Sequence, residues 1–236
     1  MPRRRQVEIN EATRQKIKEI ARDLMVEKGT AGLSLRAIAK KMKMTAPALY
    51  HYYESLDDLI TALIVDAFTG HATFVRAARD KAAEKGHSYG QQIFCEALAY
   101  RQWFVDNPIQ FQLVYGNPIP GYVAPGEVTV PAARQIGEIF MESIVAGIQA
   151  GEIDMSTANY IVPPTVLAHY QGTQQLPEDI TEAFHAMNYA WCTMHGTVAL
   201  EIYNHFQPVV GDVDAFYKQA IHRLLSDIGV LLDDTP

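Results

Sequence analysis

The sequence predicts an all-α fold, a small three-helix N-terminal unit followed by a larger helical domain. Three observations lead there. Apolar residues recur at helical spacing along most of the 236 residues, and strand-like alternation is almost absent. Ser34, Thr45 and Ser55 each stand just before a short apolar run, where helix caps belong. Glycines and prolines then cut the remainder into helix-length pieces. With 48% hydrophobic and 20% charged residues, the chain can bury a large core.

The run IKEIARDLMVEKG reads as the first helix. Ser34 can accept a hydrogen bond from the free N–H groups of a second, Leu35 to about Met42, whose Leu35, Ile38, Ala39 and Met42 fall at i, i+3, i+4 and i+7. Lys40, Lys41 and Lys43 crowd its end, the negative pole of the helix dipole. Thr45 caps a third helix with Pro47 in its first turn, where the missing N–H costs nothing. Leu49, Tyr52 and Tyr53 are expected inside, and Thr45, Ala46, Ala48, Tyr50 and His51 outside. Ser55 caps the next helix, with Asp57 and Asp58 in its first turn, running to near Lys85. The Gly86–Gly90 region breaks the chain. A helix to about Asp106 follows, and Asn107-Pro108 starts a short one. Residues 116–131, with four prolines and three glycines, read as a long loop. Further helices are expected from about Ala132 to Ala150, around the Pro163-Pro164 interruption between Tyr160 and Tyr170, from Pro177 to about His205, and from Gly211-Asp212 to near Leu232.

Two short helices joined by a turn of a few residues can set one helix into a DNA major groove. Charge supports this placement. Residues 1–53 carry a net charge of +7 and residues 54–236 a net of −14, against −7 for the whole chain. A basic end on an acidic protein is an electrostatic footprint for phosphate. Arg3, Arg4 and Arg5 read as a mobile arm suited to phosphates or a minor groove. The boundary falls between a DNA-binding domain of residues 1–54 and a regulatory domain of residues 55–236.

From about Asn10 to Leu63, the segments IKEIARDLMVEKG, LSLRAIAKKM and TAPALYHYYESLDDLI resemble the DNA-binding domain of TetR-family transcriptional regulators. The resemblance implies that Ser34 and Arg36 approach phosphates, and that Thr45, Ala46, Pro47, Tyr50 and His51 lie on or beside a recognition helix. Many relatives carry a Lys just after the capping Ser, placed to touch a phosphate. Here that position is Leu56, so this contact is not carried over. The run WCTMHG, residues 191–196, is similar to the Trp…His-Gly signature of one subgroup of the family, which implies a regulatory and dimerising domain.

The helix from Thr181 to Phe206 carries two apolar faces. Phe184, Met187, Trp191, Met194, His195, Val198 and Ile202 make one; Tyr189, Cys192, Gly196, Ala199 and Tyr203 make the other. A helix apolar nearly all round must be covered on both sides. Gly196 costs about 1 kcal/mol relative to Ala in a helix interior, which points to a close helix approach. The last helix adds Phe216, Ile221, Leu224, Leu225, Ile228 and Leu231. A two-fold homodimer through the last two helices is therefore expected, and it suits a palindromic double-stranded DNA operator.

Candidate walls of a site for a small apolar or aromatic ligand are Trp103, Phe104, Phe111, Tyr115, Phe140, His169, Trp191 and His195, with Tyr100, Ile144 and Tyr160 nearby. The bland reading of these aromatics is packed core. The acidic domain, with Arg101 and Arg134 as the nearest internal cations, argues mildly against an anionic effector. The composite expectation is a repressor released from its operator by a small molecule. A regulator without an effector and a helical protein–protein adaptor stay open as alternatives.

Enzyme readings find little. Apart from the lone pair Cys192 and His195 at i, i+3, no His stands at helical ligand spacing from another His or Cys, so no metal site is expected. No phosphate-cradling glycine loop, G-x-S-x-G elbow or cofactor motif is present. Cys95 and Cys192 suit a reduced cytoplasm, and no run of about 18 apolar residues is evident, so no membrane span is expected.

Overall fold

The computed structural model describes residues 2–158, 161–173, 178–230 and Leu232. Among them it is helical throughout, with no strand beyond one isolated antiparallel bridge between Ile153 and Val230. The helices are α1 (Pro2–Lys28), α2 (Leu35–Met42), α3 (Ala46–Tyr50), α4 (Leu56–Glu84), α5 (Tyr89–Asp106), α6 (Pro108–Tyr115), α7 (Gly126–Ala150), α8 (Pro164–Thr173), α9 (Glu178–Ile202), α10 (Gln207–Val210) and α11 (Val213–Asp227). The chain forms two compact units. The first comprises residues 1–69 and 107–133, the second residues 70–106 and 134–236. This division differs from the boundary at 54/55, because the first 14 residues of α4 and the segment around α6 pack with the N-terminal helices.

In the first unit the caps form as the sequence dictates. Ser34 Oγ accepts from Ala37 N at 3.2 Å, and Thr45 Oγ1 from Ala48 N at 3.4 Å. Ser55 and Asp58 exchange hydrogen bonds, Asp58 N to Ser55 Oγ at 3.1 Å and Ser55 N to Asp58 Oδ2 at 3.0 Å, so both orphan donors at the start of α4 are satisfied. Lys43 ends α2 in the left-handed region, φ 55°, and its N–H reaches back to the Ala39 and Lys40 carbonyls. Ile17, Ile38, Leu49 and Leu59 are fully buried in one core, which also takes Leu113 of α6. Leu56 packs against that core as well, which is the use this chain makes of the position where many relatives carry Lys. Asp66 of α4 pairs with Lys18 and Arg22 of α1 at 2.7 and 3.0 Å. Tyr122 Oη lies 2.9 Å from Thr61 Oγ1, tying the loop before α7 to α4.

In the second unit α5, α9 and α11 pack on one another, and α8 lies against α9. Tyr217 is fully buried and donates to the Ala97 carbonyl at 2.9 Å. Arg101 is held by Glu201 at 2.6 and 2.7 Å and by Asp214 at 3.0 Å. Glu96 is fully buried with Ser143 donating to one carboxylate oxygen, and burial pushes its carboxyl up to about 8. Gly147 is required where Ile153 crosses α7, since a Cβ there would stand 2.5 Å from Ile153 Cδ1. Gly229, at φ 82°, turns the chain after α11.

Four expectations are corrected. Arg3, Arg4 and Arg5 lie in the first turns of α1 rather than on a free arm. The irregular stretch after α6 ends at Pro125, because the Pro125 carbonyl accepts from Val128 and Thr129 N–H at 3.0 Å each and starts α7 early enough to include Pro131. A one-turn α10 precedes the last helix, which ends at Asp227 instead of near Leu232. One helix, α4, is long and apolar enough to cross a membrane by length and composition, yet half of its most apolar window is buried inside the protein. Tyr160, Pro177 and Leu231 lie outside the described residues.

Leu49→Ala should cost about 2–5 kcal/mol, the range for emptying a fully buried site. Tyr50→Ala, at a position 50% exposed, should change stability by no more than about 0.5 kcal/mol. Urea unfolding followed by circular dichroism measures both.

Candidate nucleic-acid interface

α3 is five residues long, and its orientation is set by what flanks it. Leu49 points into the core at 0% exposure, and Tyr53 follows it inward at 6%. That leaves Thr45, Pro47, Tyr50 and His51 exposed, with Ala46 and Ala48 partly so. The His51 ring meets Tyr52 edge-on at 5.5 Å, and Tyr52 in turn packs on the core. Arg14 of α1 sits over the Tyr53 ring at 5.4 Å, bracing the turn into α4 from the other side. The result is a rigid base under a small polar and aromatic face.

Two groups of cations in this unit differ in their partners. Lys16, Lys18, Arg22 and Lys41 are ion-paired with Glu19, Asp66 and Glu27. Arg36, Lys40 and Lys43 are exposed and, among the described residues, have no carboxylate within ion-pair reach. They occupy the outer side of α2 and the turn into α3, beside Ser34 and Thr45. This arrangement offers positive charge to phosphate and a short uncharged helix to base edges. Of the predicted residues, Ser34, Arg36, Thr45, Ala46, Pro47, Tyr50 and His51 are thus gathered on two adjoining helices. Arg3, Arg4 and Arg5 lie far from α2 in sequence, in the first turns of α1.

The candidate ligand residues are divided between the units. Phe111 and Tyr115 belong to the first, where Tyr115 packs edge-on against Phe68 at 5.8 Å. Trp103, Phe104 and His195 belong to the second, where the Trp103 and Phe104 rings meet edge-on at 5.0 Å and His195 reaches Tyr100. Tyr100 Oη and His195 Nδ1 form a hydrogen bond at 2.9 Å. Trp191 stacks near His195 at 5.5 Å but is 38% exposed. Phe140 and Ile144 are buried in α7, and His169 of α8 is exposed.

His71 of α4 is the residue that sequence reading missed. It is buried among Tyr100, Trp103 and Phe104, with ring centroids 4.7, 5.1 and 4.3 Å away. Among the described residues neither ring nitrogen has a hydrogen-bond partner, and burial holds the imidazole down to about 3. An imidazole fixed in the neutral form carries one donor and one acceptor. Its signal in the sequence was faint, a single polar residue on the apolar face of a long helix. Among the described residues no cluster of three or more His, Cys, Asp or Glu could hold a metal.

Two family models match the chain. Residues 17–63 match "Bacterial regulatory proteins, tetR family", and residues 96–224 match "Tetracyclin repressor-like, C-terminal domain". The Trp191–Gly196 run is not what distinguishes either description, so the subgroup it resembles rests on that run alone. The HTH-type transcriptional regulators Mb1846 of Mycobacterium bovis and Rv1816 of Mycobacterium tuberculosis are each 34% identical over 197 residues, 81% of this chain and 81% of each relative. Among solved structures, the putative regulatory protein SCO4313 is 29% identical with a TM-score of 0.75, covering 92% of this chain and 97% of that one. The TetR family regulator PfmR from Thermus thermophilus shares the fold at 15% identity, with a TM-score of 0.58 over 89% and 96% of the two chains.

Because His71 stays neutral when folded but titrates normally when unfolded, the unfolded chain binds more protons between about pH 6.5 and about pH 3. Stability from this group is therefore complete above that window and is lost as pH falls through it. His71→Phe should show a shallower drop in melting temperature from about pH 7 to about pH 4 than the native chain, as read by thermal unfolding.

Proposed function

The chain belongs to the TetR family of bacterial transcriptional regulators and carries that family's DNA-binding helix-turn-helix, and from that premise we propose that it is a cytoplasmic homodimeric repressor released from a palindromic operator by a small molecule. The observation that carries the reading is the exposed face of α3, with Thr45, Pro47, Tyr50 and His51 presented beside Arg36, Lys40 and Lys43, cations that have no carboxylate partner among the described residues. On this reading Tyr50 and His51 contact base edges, while Ser34 and Arg36 hold the flanking phosphates. Arg3, Arg4 and Arg5, at the far end of α1, add a non-specific electrostatic contribution that weakens with salt.

The dimer face proposed is centred on α9. Tyr189, Cys192, Gly196, Leu200 and Tyr203 are exposed at i, i+3, i+7, i+11 and i+14, one continuous stripe. A Cβ at Gly196 would meet nothing of this chain within 4 Å, which leaves room there for the close approach of a second subunit's helix. The last helix contributes less than its sequence stripe implied. Ile221, Leu224, Leu225 and Ile228 are buried within their own unit, and Phe216, 38% exposed, is what remains outward.

The ligand site proposed is the aromatic cluster of Tyr100, Trp103, Phe104 and His195 around His71. A small apolar or aromatic molecule carrying one donor or acceptor suits it. His71 lies on α4, the helix that Ser55 caps at the DNA-binding end, and the chain passes from one unit to the other between Thr69 and Gly70 of that helix. Ligand that binds two settings of α4 unequally shifts the population between them, and operator affinity follows.

The experiment selects bound duplexes from genomic DNA and then measures affinity by fluorescence anisotropy. Tyr50→Ala with His51→Ala should lose specific binding by about tenfold or more, each base contact being worth about 1–3 kcal/mol, while sedimentation still reports a dimer. Unchanged operator affinity would contradict the recognition-helix assignment. Gly196→Trp should instead yield a folded monomer, and a dimer of native stability in that variant would remove α9 from the interface.

A further inference from the structure

The second unit is strongly acidic, yet half of the eight Lys and Arg residues in 54–236 line one cleft. Lys81, Lys85, Arg101 and Lys218 surround it, and Asp214 is the sole carboxylate among its lining residues. The cleft has a volume of about 450 Å³, within the range that small-molecule sites occupy. Its walls follow from helical spacing. Phe74, Ala78 and Lys81 fall at i, i+4 and i+7 on α4, with Lys85 in the turn just past its end, and Cys95, Leu98, Ala99 and Gln102 fall at i, i+3, i+4 and i+7 on α5. Tyr100, Trp103 and Phe104 lie round α5 from this stripe, so the cleft is distinct from the aromatic cluster. Small side chains at Ala78, Ala82 and Ala99 leave the space, and Phe74, 42% exposed, supplies an apolar wall.

Charge accounting gives the cleft its polarity. Arg101 is neutralised by Glu201, at 2.6 and 2.7 Å, and Lys218 by Asp214 at 2.7 Å. Among the described residues Lys81 and Lys85 have no acidic partner, which leaves two uncompensated ammonium groups four residues apart, at the end of α4 and in the turn after it. His87 lines the same space, and its Nδ1 is buried with no hydrogen-bond partner. Apolar walls, two adjacent unpaired ammonium groups and an orphaned imidazole nitrogen are complementary to one kind of molecule. We propose that this cleft binds an amphipathic carboxylate of the medium-chain fatty-acid type. Its head is held by Lys81 and Lys85 through charge-assisted hydrogen bonds, and its tail lies along Phe74, Ala78 and Leu98. No residue of α9 or of the helix-turn-helix lines the cleft, so the site stands apart from the proposed dimer and DNA faces.

The test is isothermal titration calorimetry on the full chain with sodium octanoate and, separately, octan-1-ol, for the native protein and for Lys81→Gln with Lys85→Gln. Both lysines are exposed, and a matching thermal melt verifies that the variant folds. Octanoate should bind about tenfold or more tightly than the alcohol, and the double variant should lose about that factor for octanoate alone, as expected for removing charge-assisted contacts. Equal affinity for the two probes, an octanoate affinity untouched by the double variant, or no octanoate binding at all would each overturn the proposal.

Discussion

A five-residue helix cannot hold its own shape in water, since isolated helices shorter than about 12–15 residues are marginal. α3 is such a helix, and everything proposed for DNA recognition depends on its being held still. Three constraints do so. Thr45 and Pro47 fix its start, Leu49 anchors its one buried side against Ile17, Ile38 and Leu59, and the reciprocal bonds between Ser55 and Asp58 restart the chain as α4. With the inner side committed, the backbone of α3 is fixed, and the entropy of ordering that backbone is already spent before any duplex arrives. Leu56 belongs to the same scheme, exchanging a phosphate contact for additional hold on the core.

α4 carries this constraint onward. Its first half packs with α1 through Asp66, Lys18 and Arg22, and its second half carries His71 into the aromatic cluster and Lys81 to the basic cleft, with Lys85 in the turn that follows. One continuous backbone thus belongs to both units. A buried imidazole with both nitrogens unpartnered is costly, and a group that costs stability at a site lined by aromatics is the sort of feature that ligand binding relieves. That gives the proposed release mechanism a physical handle without requiring large movement at the ligand itself.

Much of this was legible in the chain because local rules dominate the N-terminal half. Ser34, Thr45 and Ser55 announced their helices, and the capped segments formed within a residue or two of expectation. Elsewhere tertiary contacts override local signals. Pro131 marks a break in sequence, yet the Pro125 carbonyl nucleates α7 ahead of it. Phe111 and Tyr115 stand close to Trp103 in sequence, but the chain leaves the second unit after Asp106 and delivers them to the first. His71 was hidden because a single histidine on an apolar stripe carries no motif. Its isolation becomes visible only when Tyr100, Trp103 and Phe104, some 30 residues away, close around it.

The central claim is that α3 of each subunit in a symmetric pair enters a major groove. Hydroxyl-radical footprinting on a duplex selected from genomic DNA tests it most directly. The account predicts two symmetric protected half-sites whose centres lie about 10 base pairs apart or a multiple of that, with protection lost as salt rises. A single asymmetric protected patch, or uniform protection without half-sites, would contradict it.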